Sequence, residues 1–217
     1  MAESYADNLI RFQKQYEGVL PEELVQRAQA HAESLSDLGT GALAIGDLAP
    51  DFTLTDHRGE RFALTDALRD GPVVLSFYRG GWCPYCNVQL HTLQTALPQL
   101  RTHGARLVAV SPDSPDDSLT TAERNGLEFE VLSDPGNHVA RAYGLLFTVP
   151  ADVRDIYRTA GADLDAANPE LPIPATYVVG TDGRILYAHV DGDYRNRAEA
   201  DDILKALADQ GIVGDSA

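Results

Sequence analysis

The two cysteines of the chain, Cys83 and Cys86, are separated by two residues and come shortly after an apolar run. At the junction of a strand and a helix, this spacing brings two sulfurs within disulfide reach. It also places the first sulfur near the free N–H groups and the positive dipole end of the helix. Such a position lowers the pKa of a thiol to about 3.5 to 7.5 from about 8.5, and the thiolate is the form that attacks. The spacing therefore predicts a redox-active pair.

Two other interpretations of the pair stay open. Free cysteines are often small buried hydrophobic residues, and zinc sites also use cysteine pairs. Structural zinc needs four ligands, but the chain has no second cysteine pair, and His91 and His103 lack the usual spacing. A redox role is favoured because this motif beside a βαβ pattern is typical of redox sites in cytosolic proteins.

Arg79 lies four residues before Cys83, in a loop with Gly80 and Gly81. The lack of side chains on the two glycines permits close backbone approach. A guanidinium there is expected to stabilise a thiolate or to orient the molecule that the thiolate attacks, and the alternative is a surface ion pair. Helix geometry places Cys83 nearest the helix start, so we expect Cys83 to attack and Cys86 to resolve.

Composition limits the partners of the protein. The 217 residues fit one domain with an appendage and carry a net charge of −16 without a basic cluster, so nucleic acid and anionic membrane surfaces are not expected partners. The N-terminus lacks a positive region followed by an apolar stretch, and no run of about 18 apolar residues occurs. We therefore expect a soluble, cytoplasmic protein.

The chain divides into two regions by its patterning. Residues 1–44 are predicted to form a helical extension of two helices broken at Pro21, with Gly39 and Gly41 after the second helix. This hairpin is either a partner or dimer surface or an extension packed on the domain, and the second is favoured. From Ile45 onward, short strands and turns predict an α/β domain over residues 45–217.

Within the domain, residues 51–64 form a predicted hairpin, and Thr65 with Asp66 is expected to cap a short helical turn. The run 73–78 reads as a strand buried on both faces, as in a mostly parallel sheet. A helix after Cys86 and a strand at 106–110 complete a βαβ unit. Further helices are expected near 115–125, 138–143, 151–160 and 198–209, further strands near 129–132, 175–179 and 185–190, and irregular chain over most of 145–172.

Several segments, in the right order, resemble the AhpC/TSA branch of the thioredoxin fold, the peroxiredoxin-like proteins. They are residues 46–54, 73–78, 132–135, 140–144, 175–179 and 182–183. The resemblance covers roughly residues 45–205 and implies a central mixed sheet flanked by helices.

The catalytic stretch departs from that family. Its pattern is Pro-X-X-X-Thr/Ser-X-X-Cys, and with Cys86 in the cysteine position, Cys83 stands where the Thr belongs and Arg79 where the Pro belongs. Pro174 stands near the place of an arginine that the family uses beside its thiolate. This alignment would make Cys86 the attacking thiol, but the missing Thr and Arg favour Cys83.

The working residues are more similar to thioredoxin, with Trp82 directly before the first cysteine. Residues 174–176 resemble the cis-proline loop that faces the cysteine pair there, so the resemblance implies a cis Pro174 opposite the sulfurs. Trp82 is expected to shield the disulfide, and Tyr78 is expected either to line the site or to belong to the core. Tyr194 and Arg197 are expected to contact the cleft or a second subunit.

The resemblance implies a thiol-dependent peroxidase that reduces hydroperoxides through a Cys83–Cys86 disulfide, recycled by a thioredoxin- or glutaredoxin-type reductant. A thioredoxin-like protein disulfide oxidoreductase and a non-enzymatic redox sensor are the alternatives. No metal or organic cofactor is required, and no phosphate-binding glycine pattern is present.

Overall fold

In the computed structural model, which describes residues 4–15, 17–162, 164 and 169–211, two helices come first. They are α1 (Tyr5–Gln15) and α2 (Glu22–Ser34). The break at Pro21 is confirmed, although Pro21 is the N-cap of α2 rather than its first residue. None of the described helices is long and apolar enough to cross a membrane.

The remaining helices and strands alternate along the chain. The other helices are α3 (Leu64–Ala67), α4 (Pro84–Thr102), α5 (Pro115–Asn125), α6 (His138–Ala142), α7 (Arg154–Thr159) and α8 (Ala200–Gly211), with a 3₁₀ turn at Ala151–Val153. The strands are β1 (Thr53–Asp56), β2 (Arg61–Ala63), β3 (Val73–Phe77), β4 (Arg106–Ser111), β5 (Glu130–Ser133), β6 (Leu146–Thr148), β7 (Glu170–Pro172), β8 (Ala175–Val179) and β9 (Ile185–Val190).

Seven strands form a central mixed sheet in the order β2-β1-β5-β4-β3-β8-β9. The pairs β3–β4 and β4–β5 are parallel, and the other four pairings are antiparallel. The mixed sheet predicted from the resemblance is confirmed. The inference of a mostly parallel sheet from the apolar run alone was wrong, because β8 pairs antiparallel with β3.

The central strand β3 explains how the site is placed. All five of its residues are buried, and successive side chains point to opposite faces of the sheet. Leu75 and Phe77 join the apolar cluster on one face, whereas Val74 joins the cluster on the other face, which also contains both cysteines. Both faces are covered, so the chain leaving the carboxyl end of β3 emerges directly into the core beneath α4.

Helix α4 begins at the cysteine motif itself. Cys83 is its N-cap, with a sulfur that accepts the N–H of Cys86, and Pro84 takes the first helical position, where its missing N–H costs nothing. Cys83 was predicted to lie nearest the helix start, and this is confirmed. The apolar side chains Leu90, Leu93 and Leu97 then hold α4 against the sheet.

Two local expectations needed correction. Helix α3 starts at Leu64 without a side-chain cap, and the N–H of Thr65 instead bonds the Asp51 carboxylate at 3.0 Å. The region predicted to be irregular contains β6 and β7, which pair antiparallel. Strands of three residues are too short to show an alternation of apolar and polar residues, and a proline within β7 argued against a strand.

The N-terminal helices pack on the rest of the chain. The side-chain amide of Asn8 in α1 donates to Thr92 in α4 at 2.9 Å. Ala32 of α2 and Leu35, the C-cap of that helix, are buried and join a third apolar cluster with Tyr157 and Tyr194. This cluster lies against the cysteine site through Trp82 and Tyr85, which belong to both clusters. The division at residue 44 stays a prediction.

Candidate active site

The two cysteine sulfurs lie side by side in the core. Cys83 and Cys86 are both free and have no solvent exposure, and their Sγ atoms are 2.7 Å apart. Cys83 is the N-cap of α4 and Cys86 lies in its first turn, where the N–H groups have no partner within the helix ladder and the dipole is positive. A disulfide between them therefore needs only a small closing movement within one helical turn.

Arg79 contacts the first sulfur. Its Nη2 lies 3.1 Å from the Sγ of Cys83, and the side chain is only 3% exposed. The expected alternative, a surface ion pair, is wrong: among the described residues, no carboxylate pairs with Arg79. Although burial opposes its charge, the pKa of Arg79 is raised by the negative charge of the two sulfurs.

A second guanidinium faces the second sulfur. The Nη2 of Arg197 is 3.6 Å from the Sγ of Cys86, and its Nε donates to the carbonyl of Tyr194 at 2.8 Å. This contact spans 111 residues of sequence. Arg197 approaches the sulfur from the loop after β9.

The two sulfurs titrate as a pair. Burial raises the pKa of Cys83, and the hydrogen bond with Cys86 raises it further, against the effect of Arg79. Burial also opposes a charge on Cys86, but the hydrogen bond with Cys83 and the charges of Arg197 and Arg79 lower the pKa of Cys86 well below that of an ordinary thiol. The reduced pair is therefore expected to carry one negative charge.

The order of attack stays a prediction. Cys83 accepts the shorter guanidinium hydrogen bond and the N–H of Cys86, at 3.1 and 3.3 Å, which favours a thiolate on Cys83. The pKa directions instead favour a thiolate on Cys86. At 2.7 Å the shared proton can pass from one sulfur to the other without moving the backbone.

The glycines before the motif are required by close packing. A Cβ on Gly80 would lie 2.4 Å from the indole nitrogen of Trp82, and a Cβ on Gly81 would lie 2.0 Å from the hydroxyl of Thr121. The close approach predicted for this loop is confirmed. The N–H of Gly81 also donates to Asp113 at 2.8 Å, in the loop that follows β4.

Asp113 is a titratable group that the sequence only located as part of a loop. Burial, opposed by the Gly81 N–H, raises the pKa of Asp113 from 3.8 to about 6, with further contributions from Asp117 and Cys86. Because the pKa of Asp113 is higher in the folded state than in the unfolded state, the wild type loses stability as the pH rises from 3.8 to about 6.

We expect Asp113→Asn to raise the free energy of unfolding above pH 6 by at most about 3 kcal/mol, with no difference below pH 4. The asparagine oxygen still accepts the Gly81 N–H. Urea denaturation, carried out once above about pH 6 and once below about pH 4, measures the free energy of unfolding of both proteins. Asp56→Asn is the matched control of opposite sign, because the N–H groups of Glu60 and Arg58 hold the pKa of Asp56 low against burial. An equal gain for Asp113→Asn at both pH values would contradict the expectation.

The other predicted site residues are placed as follows. Tyr194 stacks on Arg79, with 3.7 Å from Cζ to the ring centroid, and Trp82 lies 5.3 Å from the same atom. Tyr78 is buried in the cluster that contains the cysteines. Pro174 is buried at the start of β8, beside the end of β3, but all described peptide bonds are trans, so the cis expectation was wrong.

Three neighbours were not foreseen. The Tyr157 hydroxyl is 3.5 Å from Nη1 of Arg79 and 2.8 Å from Nε2 of His31, and the ring of Tyr85 packs on that of Tyr194. Tyr85 lies between the two cysteines, and only this position in the sequence could have indicated that it contacts the site. Tyr157 and His31 are brought together from 126 residues apart, which no local pattern records.

A buried dithiol at a helix N-terminus, with one guanidinium facing each sulfur on a thioredoxin-like sheet, defines a thiol-dependent oxidoreductase. Among the described residues, no group of three or more His, Cys, Asp or Glu side chains is placed to hold a metal ion.

Comparison with known proteins gives the family. The AhpC/TSA family model matches residues 45–188, and the chain belongs to this family. It is 33% identical over 149 residues to a Mycobacterium tuberculosis (H37Rv) protein named provisionally as a peroxiredoxin, covering 69% of this chain and 86% of that one. It is also 35% identical over 105 residues to the thiol-disulfide oxidoreductase ResA of Geobacillus thermodenitrificans, covering 48% of this chain and 59% of that one.

The fold is similar to solved peroxiredoxin structures. Peroxidoxin BcpB from Mycobacterium tuberculosis superposes with a TM-score of 0.62 at 24% identity, covering 77% of this chain and 97% of that chain. This likeness confirms the thioredoxin-like fold. The family match ends before Tyr194 and Arg197 and begins after His31, so these residues lie outside the matched segment.

Proposed function

We propose that the protein is a thiol-dependent peroxidase that reduces hydroperoxides through a Cys83–Cys86 dithiol–disulfide cycle. The observation that carries this proposal is the pair itself: two sulfurs 2.7 Å apart, fully buried, with a guanidinium facing each. One sulfur is held as a thiolate and the other retains a proton, which are the two forms that the cycle needs.

The reaction proceeds in three balanced steps. The thiolate attacks the peroxide O–O bond, which gives a sulfenic acid and, after protonation of the leaving oxygen, an alcohol or water. The second thiol then displaces water from the sulfenic acid and closes the disulfide. Two thiols of an external donor finally reduce this disulfide and are themselves oxidised to a disulfide. Arg79 and Arg197 stabilise the negative charge that moves from sulfur to the leaving oxygen.

Burial of the pair favours a small substrate over a protein substrate. A hydroperoxide reaches sulfurs in the core by side-chain movement of Trp82 and Tyr85, the partly exposed rings of the surrounding clusters. A protein disulfide must bring its own backbone and side chains to within bonding distance. Disulfide exchange with proteins, supported by the Cys-X-X-Cys motif and the likeness to ResA, is therefore the second candidate.

The same burial applies to the reductant, so recycling is expected to be slower than the attack on peroxide. The donor is proposed to be a thioredoxin- or glutaredoxin-type protein, acting in the cytoplasm.

A homodimer is part of the proposal, supported by the exposed apolar side chains Ile10, Val19 and Leu20 of the N-terminal hairpin.

A coupled assay tests the proposal. NADPH consumption is followed with hydroperoxide, thioredoxin and its reductase, and turnover that requires both the peroxide and this protein is expected. A variant with serine at both Cys83 and Cys86 is the control. Reduction of insulin disulfides without peroxide-dependent turnover would replace the proposal with the second candidate, and turnover in neither assay would favour a redox sensor.

A further inference from the structure

Two tyrosine rings hold the guanidinium of Arg79 in place. The Cζ of Arg79 lies 3.7 Å from the ring centroid of Tyr194 and 5.6 Å from that of Tyr157. Tyr157 comes from α7 and Tyr194 from the loop between β9 and α8, and both are buried. We call these two residues the tyrosine clamp. A cation within about 6 Å of an aromatic face is attracted to it, more strongly when water is excluded.

Both hydroxyls of the tyrosine clamp are bonded to the same helix. The hydroxyl of Tyr194 donates to the backbone carbonyl of Ala28 at 3.0 Å, and that of Tyr157 lies 2.8 Å from Nε2 of His31. Ala28 and His31 are one helical turn apart in α2. The N-terminal hairpin thus reaches Arg79 through two independent hydrogen bonds and two rings.

Two hydrogen bonds meet at the Tyr157 hydroxyl. Arginine only donates, so at the 3.5 Å contact the Tyr157 oxygen accepts from Arg79. The direction of the bond between Tyr157 and His31 depends on the tautomer of the imidazole, whose pKa is lowered by burial and by the charge of Arg79. In either direction, the Tyr157 hydroxyl links Arg79 to α2.

The charges that act on Arg79 come from a small number of elements. Cys83 and Cys86 of α4 and the two tyrosines of the clamp are the titratable groups with the largest effects on Arg79, and His31 of α2 lies behind Tyr157. Among the described residues, no carboxylate pairs with Arg79. Its position is therefore set by the sulfur of Cys83 on one side and by the rings of the tyrosine clamp and of Trp82 on the other.

We propose that Tyr157 and Tyr194 are positioning residues for the dithiol reaction: anchored to α2 through His31 and Ala28, they hold the guanidinium of Arg79 on the sulfur of Cys83. The N-terminal hairpin is then a working part of the site. His31, Ala28 and Tyr194 all lie outside the segment that matches the family model. The proposal rests on the proposed function, because the reaction that the tyrosine clamp serves is the proposed one. Its test needs no peroxide turnover and does not depend on that function.

The test uses the reduced protein without any peroxide. Tyr157→Phe and Tyr194→Phe keep the rings and remove only the hydroxyls that anchor them. Thiolate absorbance in the ultraviolet, followed against pH, reports the first ionisation of the cysteine pair. We expect its pKa to rise by about 1 in each variant, because a loosened Arg79 stabilises the thiolate less.

Tyr143→Phe is the matched control. Its buried hydroxyl also donates to a backbone carbonyl, that of Pro50, but it lies in the cluster on the sheet face away from the cysteines. It should lose similar stability and leave the thiol pKa unchanged. In an Arg79→Met background, Tyr157→Phe should have no further effect on that pKa.

An unchanged thiol pKa in both clamp variants would overturn the proposal, as would an equal rise in Tyr143→Phe or an undiminished rise in the Arg79→Met background. These outcomes are separable from failure of the proposed function. A wild type without peroxide turnover removes the peroxidase assignment, whereas the thiol pKa of the clamp variants is measured in either case.

Discussion

Serine in place of either Cys83 or Cys86 is expected to reduce multiple turnover with hydroperoxide by on the order of 1,000-fold or more, because each variant lacks either the attacking or the resolving sulfur. Cys83 and Cys86 are the only cysteines in the chain, so no other thiol of the same molecule can substitute for either of them. The measurement is the coupled NADPH assay at matched protein concentration. Retention of turnover in either variant would contradict a cycle that needs both sulfurs.

The same two variants also decide the order of attack. Treated with one equivalent of hydroperoxide, Cys86→Ser should form a sulfenic acid on Cys83 if the helix start directs the attack, as the sequence predicts. Cys83→Ser places a serine where the family has Thr or Ser, and oxidation of Cys86 in that variant alone would reverse the order. Trapping with a dimedone-type reagent, followed by mass spectrometry, identifies the oxidised residue.

Arg79→Met is expected to slow the reaction of the reduced protein with hydroperoxide by about 100-fold, because a preorganised donor beside the reacting sulfur is lost. The pKa of the first thiol ionisation should rise as well, since Arg79 lowers the pKa of Cys86 and opposes the rise at Cys83. Stopped-flow mixing with peroxide measures the rate, and thiolate absorbance against pH measures the pKa.

Arg106→Met is the matched control for Arg79→Met. Arg106 also places its guanidinium over an aromatic ring, 5.0 Å from the centroid of Phe62, but it is paired with Glu130. Its loss should leave the peroxide rate unchanged. Methionine removes a buried charge at residue 79, so the fold should not be weakened there. An unchanged peroxide rate in Arg79→Met would contradict a role for Arg79.

The sequence predicted the parts of the site that are local. Cys83, Cys86 and Arg79 fall within eight consecutive residues, where strand, loop and helix start are each signalled by residue type. The glycines before the motif pointed to close packing, and the structure shows the side chains that they admit. The thioredoxin-like fold followed from several matching segments in order, each too short to decide alone.

The residues that complete the site are distant in sequence. Arg197 and Tyr194 were predicted to contact the cleft or a second subunit, but the sulfur faced by Arg197 depends on how the loop after β9 returns to α4. His31 lies on a helix whose pattern indicates only an apolar stripe. Pairings of this kind arise from tertiary packing, which leaves no period in the sequence. Pro174 was predicted to be cis from its likeness to the cis-proline loop of thioredoxin, but its peptide bond is trans. A similar residue type therefore did not predict the backbone conformation.

The proposed cycle requires Cys83 and Cys86 to react as one pair, and titration of the reduced wild type with hydroperoxide tests this requirement. One equivalent of peroxide should consume both thiols, with peptide mapping recovering a disulfide between Cys83 and Cys86 within a single chain. Oxidation of one cysteine while the other stays a free thiol, or a disulfide found only between two chains, would contradict the account.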